Sequence, residues 1–160
     1  MDFSDFVQQG IALLSQRDVN SWALGDLAAL FEVTVGRPSE DDDTPTLGDL
    51  AQAWNVSGQR VSEWRNVARF YPTELRTFEV PWEMYNAARR ASDDIEDACA
   101  LLAFAEKHHL GINAFRRHLK GIRWEGAISK YELPLRLQGM MPDYEKKFWI
   151  VIKRFSGDES

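Results

Sequence analysis

The sequence contains a single cysteine, Cys99, and no apolar run of the roughly twenty residues that a transmembrane helix needs. One cysteine cannot form an internal disulfide, and its isolation is typical of proteins from a reducing compartment. The N-terminal residues do not follow the basic and then apolar pattern of a secretion signal. We therefore expect a cytoplasmic protein without membrane contact, in which Cys99 is a small core residue.

The sequence also offers little for catalysis or metal binding. It has no glycine-rich phosphate loop, no HExxH motif, and no convincing set of Ser, His and Asp residues for nucleophilic catalysis. His108 and His109 are adjacent, so on a helix they point about 100° apart, and His118 has no further ligands at a suitable spacing. The three aspartates at 41–43 could hold a divalent ion, but they lack a spaced ligand pattern. We predict a non-enzymatic protein without a cofactor or metal ion.

Positive charge is scarce overall, because the net charge is −6. This balance argues against indiscriminate binding of nucleic acid. The charge is unevenly distributed: residues 1–106 carry 8 Lys and Arg against 19 Asp and Glu, whereas residues 107–160 carry 11 against 6. If DNA is the partner, the basic C-terminal third should contribute to the contact.

The most informative stretch is 46–72, which reads as two short helices joined by a tight turn. Thr46 with Asp49 resembles a capping box at the start of the first helix. Asn55 tolerates the left-handed backbone that a helix exit requires, and Ser57 is a strong N-cap for the second helix. Pro72 ends that helix. The apolar residues recur at intervals of three and four, which predicts one buried face per helix: Leu47, Leu50, Ala51 and Trp54, then Val61, Trp64, Val67 and Ala68.

This arrangement predicts a helix-turn-helix over 46–70, whose second helix would enter the major groove of DNA. The side chains of Ser, Gln, Asn and Glu can pair with base edges, and they occupy all but one of the outward positions of that helix: Ser57, Gly58, Gln59, Ser62, Glu63 and Asn66. Arginines flank them at positions suited to phosphates: Arg60, Arg65 and Arg69. The alternative is a plain helical hairpin that serves as a scaffold or binds protein.

The remaining residues predict further helices, and hence an all-α protein. We expect helices over 3–14, 21–33, 81–91, 92–109 and 112–120, with Ser92 as the N-cap of the fourth and an exposed acidic loop over 34–45. Together they predict one helical domain over 1–121, followed by a less regular C-terminal segment, 122–160, that is a candidate dimerisation element. Basic residues near the end of the helical domain could supply a second contact to the DNA backbone: Arg116, Arg117, Lys120 and Arg123.

The order SWALGDL, TLGDLAQAWNVSGQRVSEWRNVARFYP and VPWEMYNAARRASDDIEDACALLAFAEKHHLGINAFRRHLKG resembles the helix-turn-helix core of partition proteins of the ParB/KorB type. It is also similar to related bacterial and phage DNA-binding proteins. The resemblance covers about residues 21–121 and consists of residue classes. It implies an all-α domain that binds a palindromic DNA site as a homodimer, and a phage or plasmid origin.

The sequence departs from that family in three respects. The nucleotide-binding module of chromosomal partition proteins, with its arginine-rich motif, is absent, and Asn55 stands where most such turns have glycine. The second helix carries only modest positive charge. A partitioning role and CTP dependence are therefore not carried over from the resemblance. We expect sequence-specific binding of double-stranded DNA by a transcriptional regulator or a partition-like protein. The alternative function is a protein-binding module whose acidic surface engages a basic partner, such as a polymerase or a repressor.

Overall fold

The computed structural model of the protein describes residues 1–17, 19–35 and 43–125, with side chains as far as Gly121. Over these ranges the chain is all-α, as predicted, and contains a short 3₁₀ helix at Thr73–Leu75. None of the described helices combines the length and the apolar character needed to cross a bilayer. The described residues form seven α-helices: α1 (Phe3–Leu14), α2 (Ser21–Val35), α3 (Leu47–Ala53), α4 (Gly58–Phe70), α5 (Trp82–Ala91), α6 (Ile95–Lys107) and α7 (Ile112–Glu125).

The helices belong to two compact units, and the single helical domain over 1–121 stays a prediction. The first unit is Met1–Pro72 and holds α1 to α4, and the second begins at Thr73 and holds α5 to α7. The boundary follows Pro72, the residue that ends the predicted helix-turn-helix. Most of the acidic loop, residues 36–42, lies outside the described residues. So does the candidate dimerisation element from residue 126 onwards.

In the first unit, α4 packs directly against α2 at a glycine. A Cβ atom built on Gly25 would lie 2.3 Å from the backbone oxygen of Trp64 and 2.8 Å from the Cβ of Ala68. The two helix backbones therefore approach more closely than any other residue at position 25 would permit. Leu24 and Ala28, on the same side of α2, are completely buried.

A second glycine brings α1 against the residue that ends α3. A Cβ atom on Gly10 would lie 2.0 Å from the indole ring of Trp54, and the indole nitrogen of Trp54 donates a hydrogen bond to the backbone oxygen of Phe6 at 3.2 Å. Phe6 is completely buried and meets Phe31 of α2 edge to face at 5.3 Å. In a helix considered alone Gly10 is a weakness, but here it makes room for a tryptophan.

In the second unit, α6 is the most deeply buried helix, and small residues dominate its inner side. Ala98, Ala103 and Ala105 are completely buried. Cys99 is buried as predicted, and burial, with a smaller contribution from Glu96, raises the pKa of its thiol to about 12. A thiol with that pKa stays protonated near neutral pH and is a poor nucleophile.

The segment before α5 is held by a tyrosine. The hydroxyl group of Tyr85 accepts a hydrogen bond from the backbone nitrogen of Phe78 at 2.9 Å and donates one to its backbone oxygen at 3.1 Å. Both residues are buried. The two bonds satisfy backbone groups that would otherwise be buried without partners.

The prediction that Ser92 caps the helix after α5 is wrong. The N-cap of α6 is Asp94, whose side chain accepts from the backbone nitrogen of Asp97 at 2.9 Å. The hydroxyl of Ser92 instead donates to the backbone oxygen of Ala88 at 2.5 Å and closes the end of α5. Serine commonly bonds back to a carbonyl four residues earlier, and that bond competes with capping. The predicted helix over 112–120 also continues further, to Glu125.

Candidate nucleic-acid interface

The turn between α3 and α4 is defined by its backbone. Asn55 adopts a left-handed conformation with φ of 56°, as predicted for a helix exit. The backbone nitrogen of Val56 then donates to the backbone oxygen of Ala51 at 3.0 Å, which satisfies a carbonyl that the end of α3 would leave unpaired. The predicted capping box is present, since Thr46 and Asp49 bond reciprocally at the start of α3.

The side chain of Ser57 begins α4, also as predicted. Its hydroxyl oxygen accepts from the backbone nitrogen of Arg60 at 3.2 Å. The predicted inner side of α4 is buried: Val61 and Val67 are completely inaccessible, and Trp64 is only 2% exposed. Because this side is anchored, the first turn of the helix faces outwards.

Four predicted site residues form this exposed first turn: Ser57, Gly58, Gln59 and Arg60. Nothing lies within 4 Å of a Cβ built on Gly58, so the surface around it is open. The guanidinium group of Arg60 lies 5.3 Å from the centre of the Trp64 ring, within the range of a cation–π contact. That contact positions the arginine without neutralising its charge.

The next turn of α4 is less accessible, since Ser62, Glu63 and Asn66 are each half-buried. The side-chain oxygen of Asn66 accepts from Nε of Arg65 at 3.2 Å and from a terminal nitrogen of the same guanidinium at 3.0 Å. A bidentate contact with adenine uses both the oxygen and the nitrogen of an asparagine amide. In this arrangement the oxygen of Asn66 is already occupied.

Two of the three predicted phosphate-binding arginines are paired within the chain. Arg65 forms an ion pair with Glu32 of α2, and Arg69 forms a second one with the other carboxylate oxygen at 3.1 Å. The side chain of Arg65 is 20% exposed, and that of Arg69 is 56% exposed. Among the arginines of α4, Arg60 is thus the one that forms no ion pair with a described acidic residue. Its guanidinium group can bind an anion of a partner molecule.

Sequence reasoning missed Glu32. It lies 33 residues before Arg65 in the chain, and only the packing of α2 on α4 brings the two together. The signal in the sequence was an acidic residue on a largely apolar helix. That signal was weak, because such a residue faces either solvent or a cation. Glu32 lowers the positive charge that α4 presents to its surroundings.

The other predicted basic residues belong to the second unit. Arg116, Arg117 and Lys120 are exposed on α7. Arg123 is also part of α7, but its side chain lies outside the described residues. Arg116, Arg117 and Lys120 give the second unit an exposed basic surface of its own.

The histidines pack around an aromatic ring. The rings of His108 and His118 each lie 4.3 Å from the ring of Phe104, and that of His118 is stacked on it at an angle of 11°. Burial, with a smaller effect of the neighbouring His108, holds the pKa of His118 below its usual value. A neutral ring is therefore expected to stack there near pH 7. Within the described ranges, no three His, Cys, Asp or Glu residues are grouped so as to hold a metal ion.

Comparisons with family models, with curated proteins and with solved structures found no match for this chain. The resemblance to partition proteins of the ParB/KorB type therefore stays a prediction.

Proposed function

We propose that this protein binds double-stranded DNA in a sequence-specific manner, with α3, the turn and α4 acting as a helix-turn-helix. The main support is the orientation of α4. Its inner side is anchored by Val61, Trp64 and Val67, while its first turn is open to solvent. A helix that is buried along one side and exposed at its N-terminal end can place that end in a major groove.

The first turn carries suitable chemistry for reading bases. Gln59 presents a side-chain amide, which can donate to and accept from the edge of an adenine. Ser57 keeps a hydroxyl hydrogen to donate, because its oxygen is the acceptor in the bond that caps α4. The positive end of the helix dipole lies at the same turn and favours a nearby phosphate. Arg60 adds a full positive charge beside it.

The partly neutralised positive charge of α4 supports a sequence-specific contact with DNA over an indiscriminate one. Glu32 pairs with Arg65 and Arg69, and the whole chain carries a net charge of −6. Non-specific affinity for DNA comes almost entirely from phosphate neutralisation. With few free cations on α4, base contacts would have to supply a larger share of the binding energy. A transcriptional regulator or a partition-like protein, acting as a homodimer on a palindromic site, fits such a contact.

The proposal is tested by selecting duplexes from genomic fragments with the full chain and then comparing Gln59→Ala with Gln8→Ala. Gln8 is an exposed glutamine of α1 and serves as the matched control. Gln59→Ala is expected to relax the preference at one base pair by about 1–3 kcal/mol, whereas Gln8→Ala should leave it unchanged. Arg60→Ala should weaken all duplexes alike and reduce the salt slope by about one unit.

Two results would contradict the proposal. Gln59→Ala and Arg60→Ala could both bind the selected duplexes as the Gln8→Ala control does. Alternatively, the unmodified chain could fail to retain any duplex near physiological ionic strength and instead bind a basic protein. That second result would favour the protein-binding function, which the excess of acidic residues over 1–106 supports.

A further prediction concerns Glu32. Glu32→Gln preserves the shape of the side chain but releases the charges of Arg65 and Arg69, so it should raise the affinity for duplex DNA. It should also steepen the log–log slope of affinity against salt concentration. Up to about two additional phosphate contacts are expected, and each adds about 0.9 to that slope. Fluorescence anisotropy over a salt series measures both quantities. Glu83→Gln, an equal change of charge at an exposed residue of α5, is the control. An affinity gain no larger than that of the control would show that Glu32 does not restrain these arginines.

A further inference from the structure

The turn between α6 and α7 repeats the turn between α3 and α4. In both, a non-glycine residue with positive φ follows the end of the first helix: Asn55 with φ of 56° and His109 with φ of 50°. Left-handed backbone is uncommon outside glycine, and histidine and asparagine are among the residues that adopt it. A left-handed residue follows many helix ends, so the likeness depends on what else the two turns share at the same offset, which is 54 positions.

The hydrogen bonds of the two turns also correspond. The backbone nitrogen of Val56 donates to the oxygen of Ala51 at 3.0 Å, and that of Leu110 donates to the oxygen of Ala105 at 3.0 Å. The donors and acceptors are again separated by 54 positions. At the preceding residue, the backbone nitrogen of Asn55 donates to the oxygen of Gln52 at 3.0 Å. In the second turn, that of His109 donates to the oxygen of Glu106 at 3.2 Å. The same offset holds through the whole turn.

Burial follows the same offset. Ala51 is 2% exposed and its counterpart Ala105 is completely buried, so each first helix has a small residue at the same distance from its turn. Val61 and its counterpart Phe115 are both completely buried, which anchors α4 and α7 at the same position of the second helix. The two second helices thus follow turns of the same form and each has a completely buried residue at the same position.

The two helices differ in what they expose. At the 54-residue offset, Gln59 corresponds to Asn113, and the polar residues Ser62, Glu63 and Asn66 correspond to cations. Those cations are exposed on α7: Arg116, Arg117 and Lys120. No acidic side chain among the described residues forms an ion pair with any of the three, in contrast to Arg65 and Arg69 of α4.

We infer that α6, its turn and α7 form a second helix-turn-helix unit, which holds the phosphate backbone of duplex DNA through Arg116, Arg117 and Lys120. The inference rests on the proposed function, since it assigns DNA as the partner of both units. Charge complementarity selects the occupant: three cations on one helix, none of them paired with a described acidic residue, match a polyanion. In this arrangement α4 supplies base discrimination, and α7 supplies sequence-independent affinity.

The test compares two variants of the full chain that each lose two positive charges. Arg116→Gln with Arg117→Gln removes cations from α7, and Arg17→Gln with Arg90→Gln removes exposed cations from α1's C-terminal loop and from α5. Affinity for a selected duplex and for an unrelated duplex is measured by fluorescence anisotropy over a salt series. The α7 variant should lose about 1.8 from the log–log salt slope, about 0.9 for each lost phosphate contact. It should weaken both duplexes by the same factor, and the control should keep the slope.

The outcomes separate this inference from the proposed function. If the α7 variant and the control have the same slope while Gln59→Ala still relaxes base preference, the second unit does not contact DNA and the proposed function stands. If the α7 variant changes base preference as well as affinity, the division of roles between α4 and α7 is wrong. If the unmodified chain binds no duplex, both proposals are overturned together. Far-UV circular dichroism of each variant checks that the helices remain intact.

Discussion

Gly25→Ala is expected to destabilise the first unit by about 3 kcal/mol or more, since overpacking of a close contact typically costs 1–3 and occasionally exceeds it. The new methyl group would lie 2.3 Å from the backbone oxygen of Trp64. A flexible side chain could move away, but here the obstacle is the backbone of α4, so the helices themselves must separate. Urea denaturation followed by far-UV circular dichroism would measure the loss.

The matched control is Gly58→Ala, at the first residue of α4. A Cβ there meets nothing within 4 Å, so the same chemical change should be neutral or slightly stabilising. Gly25→Ala should also weaken binding to the selected duplex, because α2 supports α4 from behind. Gly58 belongs to the turn proposed to face DNA, so Gly58→Ala is the control for stability alone. Equal stability of the two variants would contradict the close approach of α2 and α4.

Gly10→Ala is expected to have a similarly large effect, of about 3 kcal/mol, but through a side chain. Its methyl group would lie 2.0 Å from the indole ring of Trp54, which is 3% exposed and bonded to Phe6. The indole cannot move aside without losing that hydrogen bond and its place in the core. The free energy of unfolding of the single variant gives the cost.

A second substitution makes this prediction specific. Trp54→Phe removes the indole atoms nearest to Gly10 together with the hydrogen bond to Phe6. It should destabilise the protein by itself, yet partly relieve the clash in the double variant with Gly10→Ala. We expect a favourable coupling energy of about 1–3 kcal/mol in the double-mutant cycle. Strictly additive effects would contradict a contact between residues 10 and 54.

The two glycines explain how the first unit positions the proposed recognition helix. Gly25 lets α2 approach α4, and Gly10 lets α1 approach the end of α3. The turn at Asn55 then connects two helices that are each supported from behind. The exposed turn from Ser57 to Arg60 is thereby held on a rigid base, which a base-reading surface requires.

The beginnings and ends of several helices were predictable because their causes are local. Thr46 and Asp49 are three residues apart, as are Ser57 and Arg60, so the bonds that begin α3 and α4 depend on neighbouring residues alone. Asn55 was predictable for the same reason. The error at Ser92 occurred where two adjacent segments offered competing caps. The serine bonds backwards to α5 and leaves Asp94 to begin α6.

The likeness between the two turns was largely hidden in the sequence. His109 and Asn55 share a backbone conformation but few chemical properties, and Phe115 and Val61 share burial but not size. A match by residue identity does not align such pairs. The backbone hydrogen bonds reveal the correspondence, because they depend on φ and ψ and only weakly on the side chain.

The helical class, the cap residues of α3 and α4 and the inner side of α4 follow from the order of the residues, because periodicity and capping act over three or four residues. The packing of the helices was needed to show that Glu32 pairs with Arg65 and Arg69 and that Gly10 and Gly25 are points of close approach. It also shows that Arg116, Arg117 and Lys120 of α7 have no acidic partner among the described residues. Each of these features depends on residues that are distant from one another in the chain. Only the packing of the helices specifies which of those residues become neighbours.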